Sequence, residues 1–239
     1  MLEWLSFLFA VGLTIVHLSS RYMKSFSSMP RKKLLSVAGG ISVAYVFVHI
    51  LPELHKHQEE LNDSGNALKF FENHVYVISM LGLAVFYGLE IMVRKSRKRK
   101  DVGTEAGIFW IHILVFCLYN ALIGYLLIRG GGKDFTDLFL YFFALSVHFI
   151  SNDHGLRKSH EQIYDQYGRW LLSVSVLVGW GIGAIMAINE QTIGLLFAFL
   201  AGSIVLNVLK EELPEERESN YWAFCSGLLI YTVLLVFVV

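Results

Sequence analysis

The chain has 239 residues, of which 55% are hydrophobic, 14% aromatic and only 17% charged, with 20 basic residues balancing 20 acidic ones. Zero net charge offers nucleic acid no general attraction, and so apolar a composition does not fit a water-soluble domain of this length. Several apolar runs reach the roughly 18–20 residues that a bilayer-crossing helix needs, so the fold class expected is all-α, a polytopic membrane protein.

Eight spans are read in chain order, at 2–19, 34–54, 73–93, 106–128, 135–155, 170–188, 191–211 and 221–239. The first is a retained helix rather than a signal peptide, because Glu3 stands where a basic leader would be and no small-residue cleavage pattern follows. Loops after the odd-numbered spans hold 16 of the 20 Lys and Arg residues. Basic loops stay on the cytoplasmic side, which places both termini outside, in a plasma membrane. Cys117 and Cys225 lie inside apolar runs and predict no disulfide framework.

The second span closes with "GISVAYVFVHILPE" (40–53) and the seventh with "GSIVLNVLKEELPE" (202–215), six identities in fourteen ungapped positions. Spans 1–3 and 6–8 then form an inverted repeat around spans 4 and 5, a common carrier architecture; the alternative is coincidence between two helices ending at proline. Proline withholds an N–H, so Glu53 and Glu215 are expected beside loosened helical turns. His49 and Glu53, spaced i, i+4, share a helical face, and "HKHQEE" follows. Glu211, Glu212, Glu215 and Glu216 mirror this acidity at the seventh span's end. Both clusters read either as cation funnels or as solvated loop.

In mid-membrane, the fourth span carries Tyr119, Asn120 and Gly124, and the fifth carries His148, Asn152 and Asp153. Such groups are expensive at bilayer depth and normally face the bundle interior with a partner. Imidazole and amide or carboxylate oxygen are donors for a first-row divalent cation. The competing reading is polar glue between helices, which is expected for His17 and His112, each alone on its helix. Glu90 is expected to snorkel or to pair with the basic loop after it. Gly179, Gly181 and Gly183 are expected to allow close helix packing.

These features are similar to the ZIP (Zrt/Irt-like) metal-transporter family. The resemblance rests on the second and seventh spans, each ending in Leu-Pro-Glu, and on the three-plus-two-plus-three order. In the fourth-span motif "YNALIG", Asn120 and Gly124 match, while Tyr119 and Ile123 replace a histidine and a carboxylate. In the fifth-span motif "HFISND", His148 matches and Asp153 stands for the last glutamate, while Phe149, Ser151 and Asn152 depart. The resemblance implies units at 1–94, 105–156 and 169–239, and a carrier of divalent cations of the zinc, iron or manganese class. His148, Asn152, Asn120, Asp153 and Tyr119 would form a reduced metal site, with His49, Glu53, Glu211 and Glu215 at entry and exit. It implies no enzyme and no resident cofactor, the metal being cargo. Expected partners are the lipid bilayer, the metal ion and a second copy in a homodimer, but no nucleic acid. The alternatives are a ZIP-fold protein that does not transport and an intramembrane zinc hydrolase using His148, His154, His160, Asp153 and Asp165.

Overall fold

A computed structural model describes residues 2–20, 22, 30–63, 74–99, 102–130, 134–212 and 220–238, and among these no strand occurs. The helices are α1 (Leu2–Ser19), α2 (Pro30–Tyr45), α3 (Leu51–Asp63), α4 (His74–Arg99), α5 (Val102–Arg129), α6 (Phe135–Ile163), α7 (Arg169–Ile185), α8 (Glu190–Glu212) and α9 (Tyr221–Val238). Seven segments are long and apolar enough to cross a membrane, and the apolar Tyr221–Phe237 stretch of α9 is an eighth, shorter one. The chain is therefore a multi-pass helical membrane protein.

Three helix starts have side-chain caps, which satisfy amide hydrogens that the first turn leaves over. Asp134 accepts from the Asp137 amide at 2.9 Å, Asn189 from Thr192 at 2.8 Å, and Asn220 from Ala223 at 2.9 Å. Two π-helical turns, Val46–Ile50 and Tyr164–Gly168, interrupt otherwise helical chain. The first precedes Pro52, whose ring would meet the carbonyl four residues back; a widened turn relieves that clash. The second span therefore does not end at Pro52. It runs on through α3 to Asp63, so "HKHQEE" is helix, not loop, supported by Lys56–Glu53 and His57–Glu60 pairs at 2.9 and 3.0 Å.

The contacts fix relative direction. Gly12 meets Phe142 and His17 meets Asp153, so α1 lies parallel to α6. Trp180 bonds Ser6 and Thr14 meets Ser173, so α7 runs antiparallel to α1. Three further pairs are parallel: α2 with α9, α4 with α8, and α5 with α7. Glycine makes each of these approaches possible. A Cβ on Gly40 would lie 2.1 Å from the Phe224 carbonyl oxygen, and one on Gly227 2.2 Å from that of Val37. Gly202 and Gly82 make the same reciprocal fit between α8 and α4, at 1.8 Å from Ser79 and 2.1 Å from Phe199. Gly179 seats against Ala121 and Gly183 against Ile128, as expected, whereas Gly181 packs against nothing within 4 Å.

Candidate functional site

The most buried polar group is assembled from three helices. His17, in the last turn of α1, is fully buried with Asn120 of α5 and Asp153 of α6. Its Nδ1 lies 3.0 Å from both carboxylate oxygens of Asp153, and its Nε2 lies 3.0 Å from Asn120 Oδ1. The Asn120 amide is oriented by its own Nδ2–H, which donates to the Phe116 carbonyl at 2.7 Å. Oδ1 is thus what faces the histidine. The Asn120 oxygen only accepts, so the Nε2–H donates to it, and Nδ1 shares one proton with the Asp153 carboxyl group. Phe149 stacks on the ring at 4.3 Å. Tyr164 lies 3.5 Å from Ser20 Oγ, next to the Asp153 carboxylate. Beyond them Arg157 binds Asp165 at 2.7 Å and closes that side.

His148 is not part of this hub. Its Nε2 accepts or donates to the Tyr119 hydroxyl at 2.8 Å, with both residues buried. One turn further along α6, the Asn152 side-chain nitrogen and the Ser151 hydroxyl are buried without a hydrogen-bond partner among the described residues. The five expected metal residues therefore divide: Asn120 and Asp153 gather around His17, Tyr119 pairs with His148, and Asn152 stands beside them. Among the described residues, no group of three or more His, Cys, Asp or Glu stands close enough to hold a metal ion. The side chains of Glu211, Glu215 and His160 lie outside the described residues.

A cavity of about 560 Å³ enters the bundle from the end where α3 projects. His49, Glu53, Lys56, Asp134, Asp137 and Tyr141 supply its polar lining, and Leu126, Leu127, Leu138 and Phe197 much of the rest. Lys56 holds Glu53 at 2.9 Å, so one of the three carboxylates is already neutralised. His49 stacks on Tyr45 at 5.0 Å. The hydroxyls of Tyr45 and Tyr141 are buried and have no partner among the described residues. Buried polar atoms are almost always paired, so the Tyr45 and Tyr141 hydroxyls beside the cavity, and Ser151 and Asn152 about 16 Å further along α6, are two places where water or a solute can bind.

The same face of α6 connects the two regions. Asp137, Tyr141, His148 and Asn152 follow at spacings of four, seven and four residues, which repeat on one side of a helix. At 1.5 Å per residue they extend over about 22 Å, most of a bilayer's hydrocarbon thickness. His49 and Glu53, expected at an entrance, do line the cavity. Sequence reasoning passed over Tyr45, Asp137 and Tyr141, although the α6 spacing from His148 could have found the last two. His17 is interhelical glue as expected, but it ties together two of the residues proposed for metal. No signal in α1 alone announces that, because its partners lie 103 and 136 positions away.

Comparison of the whole chain with protein-family models, with curated proteins and with solved structures gave no match.

Proposed function

We propose that the chain is a ZIP-like carrier of divalent metal cations, open at the α3 end and closed at the other. The observation that carries this reading is the polar face of α6, which starts in an open cavity at Asp137 and continues to Asn152 past buried, unpaired hydroxyl and amide groups. The cation would enter between His49, Glu53 and Asp137, pass Tyr141 to the His148 and Asn152 level, and leave past Asp153 toward Glu211 and Glu215.

The three-plus-two-plus-three inverted repeat belongs to the same proposal. If spans 1–3 correspond to spans 6–8, the α2–α9 pair corresponds to the α8–α4 pair, and both are close and parallel. The aligned glycines Gly40 and Gly202 each seat the middle helix of one half on the third helix of the other, and Gly227 and Gly82 answer them. Alternating access then amounts to the two halves shifting about α5 and α6. In the closed arrangement His17 holds Asn120 and Asp153, so passage requires α1 to part from α5 and α6. The basic loops make the α3 end the outer one, with both termini outside.

The test is uptake of zinc, manganese or iron into proteoliposomes containing the purified chain. His148→Ala and Glu53→Gln are each expected to reduce flux strongly, and wild-type flux in both variants would count heavily against the carrier. The second reading, a ZIP-fold protein that does not transport, is favoured by the fully bonded His17–Asp153 pair; flux no greater than in protein-free vesicles would decide for it. The hydrolase alternative has less to stand on, since Asp153 is held by His17 and Asp165 by Arg157.

A further inference from the structure

A second, smaller recess lies on the flank of the bundle, where terminal turns of α1, α5 and α7 meet at the α3 end. It has a volume of about 190 Å³ and is lined by Glu3, Trp4, Phe7, Ile128, Trp180 and Ala184. Its walls are held in place. Trp180 Nε1–H donates to Ser6 Oγ at 3.0 Å, and Ser6 in turn donates to the Glu3 carbonyl at 2.8 Å. The Phe7 and Trp180 rings stand 4.9 Å apart and tilted by 55°, so they form an aromatic corner rather than a closed stack.

The chemistry favours a cation. Indole and phenyl faces attract ammonium groups, tryptophan most strongly, and the Glu3 carboxylate supplies a full negative charge at the rim. The helices α5 and α7 both end here, at Arg129 and Ile185, and their carbonyl-rich termini, with Glu3, offset the positive N-terminal end of α1. A volume of 190 Å³ equals about six water molecules, enough for a methylated ammonium head. Arg129, next to Ile128 in the chain, donates through Nε to the Gly183 carbonyl at 2.6 Å, which puts a guanidinium at the edge for an accompanying phosphate.

The surroundings identify where that cation comes from. Trp4 is 76% exposed, and the exposed side chains along the same flank, Leu8, Ile182 and Ile185, are apolar. Tryptophan at the terminal turn of a crossing helix marks the headgroup level of a bilayer, and apolar flank below it meets acyl chains. We propose that this recess is a binding site for the ammonium headgroup of a zwitterionic phospholipid, with the lipid tails lying along α1 and α7. The proposal is independent of what the carrier moves, because it uses neither the cavity nor the buried hub.

Native mass spectrometry of the purified full chain in detergent tests it, with phosphatidylcholine, phosphatidylethanolamine and phosphatidylglycerol of identical acyl chains offered at equal ratios. Phosphatidylcholine and phosphatidylethanolamine adducts should exceed phosphatidylglycerol adducts by about fivefold, as expected for one partly exposed cation–π site with a carboxylate. Glu3→Gln, and separately Trp4→Leu, should remove the preference without altering thermal unfolding. Trp222→Leu, which changes an equally exposed tryptophan at the other end of the bundle, should leave it intact. Equal binding of the three lipids, or a preference that survives both Glu3→Gln and Trp4→Leu, would overturn the proposal.

Discussion

At the scale of single residues, the energetics turn on His17. Its ring and the Asp153 carboxyl group are both removed from solvent, so each depends on the other to offset the cost of burying a polar group. Asp153→Ala leaves the buried Nδ1 without its partner, and should lower stability by at least about 1–3 kcal/mol. The double change His17→Leu with Asp153→Leu removes both polar groups and should restore most of that loss, because apolar replacements of a buried pair are often neutral. Thermal unfolding of the two variants in detergent checks this, and a double variant weaker than the single one would refute the mutual pairing. Tyr119→Phe removes the partner of His148 and should cost about 1–3 kcal/mol, the penalty for a buried polar atom left alone. At this scale the sequence pointed to Asn120, His148 and Asp153 through their depth in apolar helices. It did not show that the first and last share a histidine from α1, since that depends on how three helices are rotated toward one another.

At the scale of helices, glycine sets the spacing. A side chain at Gly202 would run into the Ser79 carbonyl, and one at Gly82 into that of Phe199, so neither backbone can yield without moving a helix. Gly202→Val should therefore separate α8 from α4 and destabilise the protein by about 3 kcal/mol. Gly88→Ala and Gly181→Ala meet nothing within 4 Å and should be neutral or stabilising by up to about 1 kcal/mol, through better helix propensity. Unfolding temperatures of the three variants separate these outcomes, and equal effects at Gly202 and Gly181 would show that the close crossings do not matter. Hydropathy gave bounds within a residue or so of the described helices for α1, α8 and α9. It failed where helix continues beyond the apolar segment. In α3, polar residues carry the helix on through ion pairs at three- and four-residue spacing, which a hydropathy profile reads as loop.

At the scale of the whole molecule, the parallel pairs define a testable arrangement. Ser36 Oγ accepts from the Asn220 amide at 2.9 Å near the N-terminal ends of α2 and α9, and Lys210 binds Glu90 at 2.7 Å toward the C-terminal ends of α8 and α4. Paired cysteines at 36 and 220, and at 90 and 210, should each cross-link within the chain. Cysteines at 53 and 137 should react with a membrane-impermeant maleimide from the same side of a sealed vesicle, and a cysteine at 94 from the opposite side. Labelling of 53 and 137 from different sides would dismantle the cavity and the carrier reading with it.

The sequence by itself determined that this protein lives in a membrane, that it is helical, and where its spans lie, because each of these follows from the hydropathy of about twenty consecutive residues. Only the tertiary structure decided which polar groups meet. The partners of His17 lie on two other helices, 103 and 136 positions away, so no local pattern could distinguish a histidine that binds a buried carboxyl group from one that simply packs.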